Sequence, residues 1–371
     1  MWLISVCTPL LINQRVNDTI NVIPPDLELD DLCEYASAHG LLSVLLSYLQ
    51  TLNLQNAKSR EIIIQWYGKA LQQALQAQYM QVAAERLVKL MQQRELDVMF
   101  LKGMCLAQYY PNPNMRMSAD IDYYLYGHQK EGLAALAEAG VRNEDVEDYH
   151  AHATMDGVRL EMHQSFFDAD RLDTNTIVEK ALRELAEIEG RKYRCDWLHE
   201  SVTNAYRMSP TMNAVFLMRH MAIHFVSEVV TLRMLYDWGL FLMNEGKEVD
   251  WEKVSGLYEQ VGMMNFAQMM QYIVTDKLSM PVKECCPIVP LANEKSEKVW
   301  QYILNKTEGR NLTGNPIKVG LLRRCWMLKD KWKYDIAYPK DSYWKMFFYM
   351  AVRGVKTINR KRNETIYRQS A

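Results

Sequence analysis

Two long helical blocks flank a stretch of quite different periodicity, and that change limits the folds open to this chain. Residues 28–95 carry apolar side chains at three- and four-residue spacing. The run REIIIQWYGKALQQALQAQYMQVAAERLVKLMQQ is built largely from Ala, Leu, Gln and Met, all good helix formers. Near residue 96 the spacing changes. LDVMFL is short, apolar and partly β-branched, which predicts a buried strand. Lys102-Gly103 breaks it, MCLAQYY reads as a short helix, and PNPN as a turn. SADIDYYLYG is a second strand, and QKEGLAALAEAG a helix closing at Gly140. YHAHATMDGVRLEMHQSFF has the pattern of a hairpin turning at Asp156-Gly157. From about residue 171 onward the pattern is helical again.

This order predicts an α+β chain, mostly helical, with a small mixed sheet between N-terminal helices and a C-terminal helical domain. The expected divisions are an N-terminal helical region at 1–95 and an α/β core at 96–170. A helical domain at 171–317 and a basic helical tail at 318–371 follow.

Composition narrows the class. The chain has 371 residues, 49% of them hydrophobic and 24% charged, which argues against wholesale disorder. Its seven cysteines are odd in number and include no C-x-x-C pair. A disulfide scaffold or zinc finger is thereby disfavoured, and a reducing, cytoplasmic compartment is expected. MWLISVCTPLLINQR is apolar without a basic flank and reads as a folded strand or helix rather than a signal peptide. No run of about 18 apolar residues is present, so no transmembrane helix is expected. Lys318 to Ala371 holds 14 basic and 4 acidic residues, against a net charge of −2 for the whole chain. A basic tail on an acidic body points to an anionic partner or an intramolecular clamp, set against the plainer reading of a solvated basic helix.

The stretch FLKGMCLAQYYPNPNMRMSADIDYYL carries the chemistry. Asp120 and Asp122 are two apart in an expected strand, so both carboxylates share a face. Paired carboxylates repel and raise one another's pKa unless a cation lies between them. Hard divalent cations prefer oxygen donors, and Mg²⁺ is commonly held by one or two carboxylates together with substrate phosphates. Three further features support a metal-phosphate site. Gly103, after Lys102 and before a short helix, permits close approach of backbone to phosphate. Arg116 lies four residues before Asp120 and suits an anionic oxygen. Glu161, in VRLEMHQ, can be brought beside the pair by a neighbouring strand. His150 and His152 share a strand face and, with Glu161 and His163, imitate a zinc cluster, although no cysteine stands at ligand spacing. His220 and His224 lie at i, i+4 on a helix but do not form H-E-x-x-H. The plainer reading pairs them with acids such as Asp237.

These residues together resemble the nucleotidyltransferase superfamily of the DNA polymerase β type, and within it a bacterial family described as uncharacterised nucleotidyltransferase. The resemblance covers roughly residues 60–245. It rests on Leu101-Lys102-Gly103, Tyr110-Pro111, Arg116, Asp120-Ile121-Asp122 and Glu161-Met162-His163, followed by His220, His224, Arg233 and Asp237. The chain departs from the wider superfamily in three places. Lys102-Gly103 stands where Gly-Ser is usual, the loop to Asp120 is long, and Gln164 stands where relatives often carry Trp.

The resemblance implies a polymerase-β-like sheet and transfer of a nucleoside monophosphate from a nucleoside triphosphate, such as ATP, to a hydroxyl acceptor with release of pyrophosphate. It implies two Mg²⁺ ions, with Mn²⁺ as a substitute, held by Asp120, Asp122 and Glu161 as catalytic and metal-binding residues. Lys102, Gly103, Arg116, Ser118, His163, His224 and Arg233 are the implied substrate- and nucleotide-binding residues. The acceptor is open: a small molecule, a protein side chain or an RNA end. Two other readings are a D-x-D metal-dependent glycosyltransferase and a non-catalytic module that binds a nucleotide or a partner.

Overall fold

The structure, a computed structural model, describes residues 1–16, 23–24, 27–52, 57–146, 149–227, 230–305, 325–326, 328–350 and 352. Most of the basic tail expected at 318–371 lies outside the described residues. The chain opens on helix α1 (Trp2–Leu11), followed by α2 (Leu29–Ala38), α3 (Leu42–Leu49) and the long α4 (Ala57–Gln92). At 36 residues, α4 extends about 54 Å. It serves two cores. Near its start Trp66 is buried, and its indole Nε1 donates to Asp30 Oδ1 of α2 at 2.6 Å. Its C-terminal half sends Met80, Ala83, Ala84, Leu87, Val88 and Met91 beneath the sheet.

Among the described residues the sheet has six strands: β1 (Val98–Phe100), β2 (Asp120–Tyr124), β3 (Asn143–Val146), β4 (His150–Met155), β5 (Val158–His163) and β6 (Ala205–Arg207), in the order β3-β4-β5-β2-β1-β6. It is mixed: β1 pairs antiparallel with β2, while β2–β5 and β1–β6 are parallel. Helix α5 (Met104–Ala107) and a 3₁₀ turn at Pro113–Met115 fill the connection from β1 to β2, and α6 (Gln129–Glu138) leads on to β3. Asp156 and Gly157 both take positive φ, 53° and 78°, as a two-residue hairpin turn between right-twisted strands requires.

The sequence pattern corresponds to this α+β architecture, with one correction. The stretch read as helical from residue 171 onward contains strand β6, which pairs with β1 through Ala205 and Tyr206 and so completes the sheet. Three residues are too few to show a period of two, and β6 forms only because β1 offers an open edge.

Further helices among the described residues include α7 (Asp173–Glu189), α8 (Pro210–Ser227), α9 (Leu232–Glu245), α10 (Trp251–Gln260), α11 (Met264–Tyr272), α12 (Glu294–Leu304) and α13 (Lys331–Ala337). Alternation along the strands divides the sheet's side chains between two cores. Val98, Phe100, Ile121, Tyr123, Leu160 and Met162 meet α4 and α6. Met99, Leu101 and Tyr124 meet the larger core, built mainly from α7 to α11. Helix α1 joins that core: Thr8 Oγ1 accepts from the Tyr236 hydroxyl at 2.8 Å and donates to the Leu278 carbonyl at 2.9 Å. In the described part of the tail, Tyr343 and Met346 are buried in the same core, while Trp344 and Phe348 are exposed. Among the described residues no helix is long and apolar enough to cross a membrane.

Candidate active site

Strand alternation places Asp120 and Asp122 on the sheet face that looks toward the helical domain. The parallel β2–β5 register sets Glu161 beside Asp122 and His163 beside Tyr124. The antiparallel β4–β5 register sets His152 beside Glu161 and His150 beside His163. Paired positions of neighbouring strands share a face, so the acids and histidines of three strands converge there.

Asp122 lies at the centre and is buried. Its Oδ1 lies 3.0 Å from Lys102 Nζ and 3.1 Å from His163 Nε2. The same His163 nitrogen is 3.4 Å from Glu161 Oε1, and Glu161 Oε2 is 3.4 Å from His152 Nε2. Burial would raise the Asp122 pKa, but Lys102 and His163 hold its carboxyl well below the usual carboxylate range. Burial also opposes charge on His163, yet hydrogen bonds to Asp122 and Glu161 raise its pKa to about 9. Lys102 is likewise raised, because Asp122, Asp120 and Glu161 outweigh its desolvation. Glu161 is lowered against its own burial, chiefly by His163. Asp120 is raised by burial and by the neighbouring Asp122 charge, offset by Lys102 and Arg159.

Lys102 reaches Asp122 because the chain turns sharply after β1. Gly103 takes φ +54°, a conformation that costs a side chain strain, and starts α5 over the end of the sheet. A Cβ at this position would lie 3.5 Å from the Asp120 carbonyl oxygen and 3.8 Å from Ser118 Oγ.

Helices α8 and α9 form the opposite wall. His220 and His224, one turn apart, approach Nε2 to Nε2 at 3.0 Å. Burial holds His220 well below the usual imidazole pKa, with the charge of Lys102 as the next cause. Arg233 donates from Nη1 to the Met117 carbonyl at 2.9 Å and has no carboxylate partner among the described residues. Its pKa is lowered by burial and by Arg116. Arg116 itself is committed elsewhere. Its Nε and Nη2 bind the two oxygens of Asp237 at 2.8 and 2.9 Å, and Nη1 lies 2.6 Å from Ser118 Oγ. The Tyr110 hydroxyl donates to the same Asp237 at 2.9 Å. Asp237 therefore serves Arg116 and Tyr110, rather than the histidines of α8.

Of the residues singled out in the sequence, Lys102, Asp120, Asp122, Glu161 and His163 come together on the sheet. His224 and Arg233 come from the facing helices, and Gly103 and Ser118 border the site. Arg116 is turned toward α9. Arg159, which pairs with Asp120 in the β2–β5 register, is an addition. Its position two residues before Glu161 in one strand was the available signal.

A divalent cation suits this donor set. Ligand atoms of Asp122, Glu161 and His163 lie within 4.8 Å of one another. Asp122 Oδ2 is buried without a hydrogen-bond partner, and such an oxygen is costly to bury unless a cation meets it. Asp120 is not part of that close group, although its charge is felt by Lys102.

No curated protein and no solved structure is significantly similar to the chain. The model of a family described as "uncharacterised nucleotidyltransferase" matches residues 25–277, from α2 through the sheet to the end of α11 and just beyond. That span is more than half of the chain and contains every residue of the site. A nucleotidyltransferase acts on a nucleoside triphosphate, and such enzymes generally use divalent metals. The chain belongs to this uncharacterised nucleotidyltransferase family.

Proposed function

We propose that this protein is a Mg²⁺-dependent nucleotidyltransferase that passes a nucleoside monophosphate from a nucleoside triphosphate to a hydroxyl acceptor. The observation that supports this most directly is the convergence of Asp120, Asp122 and Glu161 on one sheet face, with Asp122 Oδ2 buried and unmet. Asp120, Asp122 and Glu161 would hold two Mg²⁺ ions, or Mn²⁺ in their place. Bound there, the metal would lower the pKa of the acceptor hydroxyl and offset charge on the triphosphate.

The chain's own residues then supply position and charge. Lys102 sits beside Asp122, and Arg233 on α9 lies near enough to feel the charge of Asp120, so both can meet triphosphate oxygens. Gly103 lets backbone approach a phosphate. Ser118, His163 and His224 border the same space. A bond forms between the acceptor oxygen and the α-phosphorus as the bond to the β-phosphate bridging oxygen breaks. Pyrophosphate leaves, and the acceptor proton passes to Glu161 or to water. The acceptor is a small molecule, a protein side chain or an RNA end. The helical arms around the sheet would position it.

A D-x-D glycosyltransferase fits less well. Such enzymes carry their motif after a longer parallel nucleotide-sugar sheet, whereas among the described residues β1 is the one strand before Asp120, and it runs antiparallel to β2.

The test offers α-labelled nucleoside triphosphates, Mg²⁺ and a cell lysate to the wild type and to the Asp120→Asn, Asp122→Asn double variant. Mg²⁺-dependent labelling of a discrete species by the wild type alone is expected. Equal labelling by both proteins would overturn the proposal.

A further inference from the structure

Glu161 stands between two groups of metal-ligating atoms, and only one of them is the carboxylate site described above. The second group is His150, His152 and Glu161, whose donor atoms also lie within 4.8 Å of one another. Its geometry follows from the β4–β5 register, which sets His152 directly across from Glu161 and His150 across from His163. The His150 and His152 rings lie 4.5 Å apart, centroid to centroid. The His152 side chain is nine-tenths buried. Its Nε2 has no hydrogen-bond partner and points toward Glu161 Oε2 at 3.4 Å. A buried imidazole nitrogen without a hydrogen-bond partner is costly unless it meets a ligand such as a metal ion.

The donor chemistries differ. Two imidazoles and one carboxylate suit Zn²⁺, which takes nitrogen and oxygen donors and keeps a fourth position for water or another ligand. Mg²⁺ seeks oxygen in near-octahedral array and gains little from imidazole. We infer that His150, His152 and Glu161 form a Zn²⁺ site on the rim of the carboxylate cluster, and that Zn²⁺ bound there draws Glu161 away from Asp122. Glu161 is the shared residue: one of its oxygens lies toward His152 and the other toward His163. Zinc occupancy therefore opposes use of Glu161 by the magnesium site. That regulatory consequence rests on the function proposed above, whereas zinc binding itself does not.

The test reads binding rather than turnover. Tag-free, metal-stripped protein is titrated with Zn²⁺ against a chromophoric chelator, and the zinc-loaded wild type is examined by X-ray absorption. One zinc per chain with two imidazole ligands is expected. His150→Gln and His152→Gln should each weaken zinc binding at least about tenfold, while Asp122→Asn leaves it within about twofold. Zinc bound with one imidazole or none would overturn the assignment, as would zinc affinity unchanged in the double histidine variant. Loss of zinc in Asp122→Asn alone would place the ion at the other cluster and overturn it too. The absorption result on wild-type protein stands whether or not the variants fold. Failure of nucleotidyl transfer leaves all of these readouts in place.

Discussion

Arg116, at the end of the loop before β2, places both arms of its guanidinium on the carboxylate of Asp237 in α9, at 2.8 and 2.9 Å. The two residues are 121 positions apart, and both are buried. This fork-to-carboxylate pair ties the loop before β2 to the helical wall, so the distance between Asp120 on the sheet and Arg233 on α9 is set by a rigid contact.

Removing one partner strands the other. Asp237→Ala leaves Arg116 buried and uncompensated, with an expected loss of about 3–5 kcal/mol of stability. Urea unfolding followed by circular dichroism measures it. Replacing both residues with apolar side chains of similar size, Arg116→Met with Asp237→Leu, should recover much of that loss. A single variant as stable as wild type would show that the pair carries no such role.

In the proposed site Lys102 would compete with the metal ion for Asp122, because its ammonium lies 3.0 Å from Oδ1. In Lys102→Met, calorimetric titration should show Mn²⁺ binding equal to or tighter than wild type without nucleotide. Triphosphate binding in the presence of the metal should weaken by about tenfold or more, the scale of one lost charge-assisted contact. If both affinities fall together, Lys102 orders the carboxylates rather than meeting phosphate.

His39 gives the fold a pH dependence remote from the site. Its Nδ1 accepts from the Leu232 backbone N–H at 3.1 Å, and burial lowers its pKa from 6.5 to about 4. The unfolded chain takes up the proton as pH falls through 6.5, whereas the folded chain does so only near 4. Stability is therefore complete above 6.5 and declines as pH falls toward 4. Linkage puts the His39 share of the loss between pH 7 and pH 5 at about 2 kcal/mol. His39→Asn keeps an acceptor for Leu232 and does not titrate, so unfolding free energies measured at the two pH values should converge by that amount. Identical pH slopes in wild type and variant would contradict the assignment.

Gly103 takes a positive φ, and an added Cβ would meet only the Asp120 carbonyl and Ser118 Oγ, at 3.5 and 3.8 Å. Space is therefore sufficient, and the cost of Gly103→Ala is backbone strain, about 1–3 kcal/mol. Thermal unfolding should report that loss. Relief of the strain would move Lys102, so triphosphate affinity should fall along with stability. Unaltered stability would mean that the turn accepts other conformations.

Sequence alone determined that a short strand-bearing segment lies between helical blocks. It also determined that Asp120 and Asp122 share a face, since a period of two is a local property of strand backbone. The hairpin turn at Asp156-Gly157 was legible for the same reason, and with it the closeness of β4 to β5. Tertiary structure decided what local periodicity cannot carry. The parallel β2–β5 register, which joins Asp122 to Glu161 rather than to a neighbour one step away, depends on the crossover and on both cores at once. Strand β6 exists only at the free edge of β1. Arg116 shows the limit most clearly: its charge and position suited a phosphate, but Asp237 arrives from a helix far along the chain, and a buried guanidinium takes the carboxylate that packing delivers.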